Sequence, residues 1–128
     1  MHKTITNELI RNFLDNYSVA FKSTHHQLSL PIINRIYKKM VHGIKFEDIK
    51  ICDDLIIDGH HRYISSLIAG VKIGITKYPK SSATITYDWK TIDFTETEWD
   101  TEYKIQHLNE LDAEFNNITI DKINEIIK

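Results

Sequence analysis

Apolar residues recur at helical spacing in several stretches of the chain. Leu9, Ile10, Phe13, Leu14 and Tyr17 mark a first amphipathic helix. Residues 18–29 are polar, contain His25-His26, and predict a loop or a short extended segment. Ser29 as cap and Pro31 in the first turn then open a second helix. Its stripe is Ile33, Ile36, Tyr37, Met40 and Val41, and Gly43 stands where a left-handed terminating residue is wanted. Two β-like runs follow, residues 48–52 and 55–58, at the spacing of a hairpin turning on Asp53-Asp54. Leu55-Ile56-Ile57 is apolar without alternation, which predicts a strand covered on both faces.

After Asp58-Gly59 the period changes. Tyr63, Ile64, Leu67 and Ile68 predict a helix ending at Gly70. Residues 71–78 read as a strand or extended return broken by Pro79, and Ser81-Ser82 mark a loop. Residues 83–94 alternate as a further strand or hairpin. Trp99, Tyr103, Leu108, Leu111 and Phe115 predict a long helix capped by Thr95 or Thr97, and Ile120, Ile123, Ile126 and Ile127 a short last one. No repeat, linker or low-complexity tract divides the chain. The expectation is a single domain over residues 1–128 of the α+β class, a small mixed β-sheet surrounded by helices.

Composition narrows the function classes. At 128 residues, 41% hydrophobic and 27% charged, the chain reads as globular rather than disordered. A formal net charge of −2 argues against non-specific nucleic-acid binding, which calls for a basic excess. Cys52 is the only cysteine, so neither an intramolecular disulfide nor a multi-cysteine zinc site can form. Its apolar surroundings in the sequence favour an inert buried thiol. No run approaches the roughly 18 apolar residues of a membrane span, and the first residues lack the pattern of a signal peptide. A cytoplasmic protein without membrane association is expected.

Chemistry concentrates in Asp58-Gly59-His60-His61-Arg62, between the buried strand and the helix. Gly59 removes the Cβ that would block close backbone approach. The helix starting there leaves several N–H groups unpaired, with the positive end of its dipole behind them, and so makes an anion site. Arg62 adds a forked cation suited to phosphate oxygens, and His60 and His61 add donors whose charge is adjustable near neutral pH. Asp58 does not fit a pure anion site. It either caps the helix or acts chemically, by holding a divalent metal or accepting a proton from a nucleophile.

These residues, Ile56-Ile57-Asp58-Gly59-His60-His61-Arg62-Tyr63 with the helix closing at Ala69-Gly70, resemble the signature box of the ParB/sulfiredoxin superfamily. With the preceding helix, Gly43 and the strand from Phe46 to Ile51, the resemblance spans residues 30–80, the two ends of the chain being helical elaborations. It implies a nucleotide phosphate (ATP, ADP or CTP, with magnesium as an option) held by Gly59, His60, His61 and Arg62. Asp58 would be the metal ligand, and Asp58, His61, Arg62 and Glu47 the catalytic candidates. Sulfiredoxin chemistry is not implied, because no cysteine stands in the box. A chromosome-partitioning clamp is not implied either. Its glutamate-arginine-arginine is replaced by His60-His61-Arg62, and the chain is too short for the DNA-binding and dimerisation domains. Phosphoryl transfer, as in small-molecule kinases, and phosphodiester hydrolysis, as in nuclease or toxin modules acting on nucleic acid, remain. The alternative is a non-catalytic module that binds a nucleotide or a nucleic-acid end and regulates a partner.

Other clusters have simpler readings. His25-His26 suits a solvent-exposed loop, with a lid over the site as the functional alternative. Lys38, Lys39, His42 and Lys45 complement the C-terminal end of the second helix, with a contact to a substrate phosphate as the functional alternative. Asp93, Glu96, Glu98, Asp100 and Glu102 make an acidic run read as a solvated face, or as a protein-partner surface on the C-terminal helices. Tyr87, Trp89 and Trp99 read as core or interface anchors.

Overall fold

Short polar side chains set where most of the helices begin. The computed structural model describes residues 4–128. Helix α1 (Asn7–Asn16) starts at Thr6, whose hydroxyl accepts the Leu9 N–H, and α2 (Leu30–Val41) starts at Ser29, with Pro31 in the first turn. The turn after α2 passes through Gly43 at φ +86°. Strands β2 (Ile49–Cys52) and β3 (Leu55–Asp58) form the expected antiparallel hairpin, in which Asp53 takes φ +54°. Helix α3 (His60–Ala69) follows and closes on Gly70, also left-handed. The α+β class expected from the pattern is what the chain adopts, with five α-helices and small sheets among the described residues.

The sheet expectation needs correction. There are two small sheets rather than one. Strand β4 (Ile75–Lys77) pairs parallel with β2, giving the order β3-β2-β4. A separate parallel pair joins β1 (Gln27–Ser29) to β5 (Asp93–Thr95). Of the 83–94 stretch only Asp93 and Phe94 join that ladder, and Tyr87 makes an isolated antiparallel bridge to Ser23. Residues 89–91 make a 3-10 turn instead, because Trp89 buries its ring and donates its indole N–H to the Phe21 carbonyl at 2.7 Å. Strand β3 lies at a sheet edge, yet it is covered. Lys22 hydrogen-bonds along it through Lys22 N–H to Asp54 O and Ile56 N–H to Lys22 O, which satisfies backbone groups an edge would leave open.

The main core joins Ile10 and Leu14 of α1, Ile33 and Tyr37 of α2, Ile49, Ile51 and Ile56 of the hairpin, and Ile64 of α3. Helix α3 lies against α2, where the buried Ser65 hydroxyl donates to the Ile33 carbonyl. A smaller cluster of Ile44, Ala113 and Ile123 seats α4 (Glu102–Phe115) and α5 (Ile120–Ile127) on the end of α2. Among the described residues no helix is long and apolar enough to cross a membrane.

Helix α4 departs furthest from its sequence pattern. Its cap is Thr101, not Thr95 or Thr97, so Trp99 precedes the helix. Tyr103, Leu108, Leu111 and Phe115 stay exposed, whereas Asn109 and Ala113 are buried. Polar bridges from α2 decide this. Lys39 is buried, and its ammonium donates to Asn109 Oδ1 and Asp112 Oδ2, both at 2.7 Å. Arg35 bonds Glu98 and Asp100, and Lys104 pairs with Asp100 at 3.1 Å. Lys39 is therefore no dipole-complementing surface cation, and Glu98 and Asp100 are not simply solvated.

Removing the Lys39 ammonium leaves buried acceptors without a donor. Lys39→Ala should lower stability by about 2 kcal/mol in urea denaturation. Lys45→Ala, at an exposed position, should change it by less than about 0.5 kcal/mol.

Candidate functional site

The turn between β3 and α3 is built around a missing side chain. Gly59 sits at φ +97°, in the left-handed region that residues with a Cβ rarely adopt. A Cβ there would lie 2.7 Å from Ile49 Cγ2 and 2.8 Å from Arg62 Nη2. The buried β2 side chain fixes one side of the turn, and the Arg62 guanidinium closes over the other.

Gly59 is itself the N-cap of α3, and no side chain caps the helix. Asp58 therefore does not play the capping role, one of its two expected readings. The N–H groups of the first turn are left without intrahelical acceptors. Asp58 instead projects outward, with its side chain 63% exposed and its carboxylate 3.7 Å from Arg62 Nη2. Arg62 also donates to the Glu47 carbonyl at 3.3 Å, while the exposed Glu47 side chain stands on the same cleft.

His60 is inside rather than on the surface, and His61 is half-buried. His60 is 2% exposed, and its Nε2 accepts the Thr24 N–H at 3.0 Å. That places the ring proton on Nδ1, which is buried without a hydrogen-bond partner among the described residues. Thr24 is held in turn by its hydroxyl, which donates to the Ile56 carbonyl at 2.7 Å. His25 stacks flat on His60 with ring centroids 3.9 Å apart. His61 Nε2 accepts the Ser29 N–H at 3.0 Å, and its ring meets Trp99 edge-on at 5.3 Å. Burial, reinforced by neighbouring histidines, pushes His60 down to about 3. Burial, reinforced mainly by His25, pushes His61 down to about 4. Both rings are neutral at physiological pH with the remaining proton on Nδ1, which in His60 is buried and out of reach of a ligand.

Asp58, Gly59, His60, His61, Arg62 and Glu47 thus line one cleft of about 850 Å³. The opposite wall comes from α2 and α4. The sequence pattern did not place Thr24, Arg35, Phe46 or Trp99 in this neighbourhood, and it admitted His25 only as a lid and Lys39 only as a contact to a substrate phosphate. Of the four missed residues only Arg35 carried a signal, standing one helical turn from Lys39 beside the α2 stripe. His26 lies apart from the cleft, tilted against Tyr87. Among the described residues no group of three histidine, cysteine or acidic side chains is placed to hold a metal ion. Any ion at Asp58 would take its other ligands from a bound phosphate and water.

No protein-family model matches this chain, and no curated protein or solved structure matches it either.

Gly59→Ala should cost about 3 kcal/mol or more, from a strained φ together with the clash against Ile49, measured as a loss in urea midpoint. The histidines set a pH dependence. Their folded values lie below the ordinary 6.5, so the unfolded state binds more protons, and stability is complete above about pH 6.5 and falls as pH drops through about 4 towards about 3. Near pH 5, unfolding should take up about two protons onto these rings, and His60→Gln should remove about one from the measured pH slope of stability.

Proposed function

We propose that the protein holds a phosphoryl group at the turn formed by Gly59, His60, His61 and Arg62, and acts on it by phosphoryl transfer or phosphodiester hydrolysis. The observation that carries this reading is the uncapped start of α3 behind a glycine that admits no Cβ, with Arg62 folded beside it. Free N–H groups, a helix dipole and a forked cation converge on one point, which suits the tetrahedral oxygens of phosphate. The resemblance of the Asp58-Gly59-His60-His61-Arg62 box to the ParB/sulfiredoxin superfamily supports the same reading, and with it a nucleotide such as ATP, ADP or CTP as phosphate donor.

In this proposal Arg62 and the turn backbone stabilise charge on the reacting phosphoryl group. The Nδ1–H of His61 supplies a neutral donor from the cleft wall. Asp58, exposed at the mouth, takes a proton from the attacking hydroxyl or water. A magnesium ion, when bound with the phosphate, would use the Asp58 carboxylate as its protein ligand and neutralise phosphate charge. Glu47, whose carbonyl accepts from Arg62, is a further carboxylate on the cleft beside Asp58. A small-molecule kinase needs a hydroxyl acceptor in the same cleft, whereas a nuclease or toxin cleaves DNA or RNA and harms the cell that makes it.

One observation favours a second reading, a binding module without turnover. Asp58 already faces Arg62, and both histidines are neutral with their Nε2 atoms committed to backbone N–H groups. Such a site binds phosphate without supplying a charged acid.

Thermal-shift and calorimetry measurements with ATP, ADP, CTP and GTP, with and without magnesium, test the site. Wild type should gain melting temperature and Arg62→Ala should lose at least about tenfold in affinity while staying folded. Equal behaviour of the two proteins would discard the assignment. Product formation, abolished in Asp58→Asn, separates the enzyme from the binding module.

A further inference from the structure

The cleft that contains the turn is far larger than a phosphate needs, and its lining combines two kinds of chemistry. About 850 Å³ lies within the range that encloses a drug-sized molecule. One part of the lining is Asp58, Gly59, His60, His61 and Arg62. Another is Ile32 and Ile36 of α2, Phe46, and Leu108, Leu111 and Phe115 of α4.

Polar groups reach that second part too, but most are committed to one another. Lys39 is held by Asn109 and Asp112, Arg35 and Lys104 are matched by Glu98 and Asp100, and Glu114 adds a negative charge rather than a partner for phosphate. A sugar-like or peptide-like group entering there would exchange water for hydrocarbon with few open partners, which is unfavourable. An apolar group would instead cover side chains that α4 leaves in water: Leu108 at 38%, Leu111 at 46% and Phe115 at 54% exposure.

We infer that the ligand of this cleft is a phosphate ester whose other substituent is apolar, hydrocarbon or aromatic, seated against Ile36, Phe46, Leu108, Leu111 and Phe115. This rests on the phosphate reading of the 59–62 turn but not on the nucleotide that the resemblance suggests, whose polar ribose the apolar wall disfavours. The phosphate end fixes orientation, and the apolar end supplies selectivity through burial.

Calorimetry with inorganic phosphate, 1-naphthol, 1-naphthyl phosphate and adenosine monophosphate tests the inference on wild type, Arg62→Ala, Leu111→Asp and Phe115→Asp. The last two replace exposed residues, so their fold is checked by circular dichroism and either one suffices. Naphthyl phosphate should bind wild type at least about tenfold more tightly than inorganic phosphate. It should fall to the phosphate level in Leu111→Asp or Phe115→Asp, and to the naphthol level in Arg62→Ala. Equal affinity of wild type for phosphate and naphthyl phosphate, with both weakened in Arg62→Ala, overturns the inference and leaves the phosphate site standing. Tighter binding of adenosine monophosphate than of naphthyl phosphate does the same. If Arg62→Ala changes nothing, the phosphate reading fails and the inference with it. A wild-type dimer that Leu111→Asp dissociates, with no gain from the naphthyl group, assigns the apolar wall to self-association and also overturns it.

Discussion

The strand-to-helix turn at Gly59 is the constraint on which the candidate site depends. The chain must leave a sheet whose central strand buries Ile49 and enter α3 within one residue. A left-handed φ makes that change of direction, and the absence of a Cβ lets Ile49 pack beneath the turn and Arg62 lie beside it. The same residue caps α3 with backbone alone, so no side chain occupies the anion-favouring end of the helix dipole. Fold and site therefore share one requirement. A side chain at position 59 would disturb the hairpin packing, the direction of α3 and the placement of the guanidinium together.

Around that turn, polarity is arranged by burial more than by charge. His60 and His61 look in sequence like surface donors for an anion. In the fold they serve first as acceptors for the Thr24 and Ser29 N–H groups, tying the β1 segment to α3. Desolvation keeps both rings neutral, because a buried imidazolium would lose more hydration than its surroundings replace. The positive character of the site is thereby left to Arg62 and the backbone. His60 retains one buried N–H without an acceptor, a cost carried at the cleft itself.

The α4 wall follows a different logic. Buried Lys39 pulls Asn109 and Asp112 inward, and Arg35 draws Glu98 and Asp100 to the same side. A charged group taken from water must meet its partners, whereas an exposed leucine or phenylalanine forfeits only the smaller benefit of burial. The helix consequently orients by its polar contacts and turns apolar side chains towards the cleft and solvent. An acidic run that reads as a solvated face becomes in part the brace of the cleft.

Local chemistry made much of the chain legible. Ser29 with Pro31 announced α2, Gly43 and Gly70 its own end and that of α3, and Asp53-Asp54 the hairpin, because caps and turns depend on a few neighbouring residues. The strand–Asp-Gly–helix junction was readable for the same reason. Residues 83–94 misled, since alternation alone does not supply a partner strand, and Trp89 took the chain into the core through a 3-10 turn. The Thr101 cap and the buried face of α4 were equally hidden, being decided by Lys39 and Arg35 some 60 to 70 residues away. By itself the sequence determined where α2 and α3 start and stop and that a glycine turn joins β3 to α3. Only the tertiary structure decided which polar groups are buried in pairs, which histidine nitrogens are occupied, and that an apolar wall faces the turn. Those outcomes rest on contacts between distant segments, whose energies no local pattern encodes.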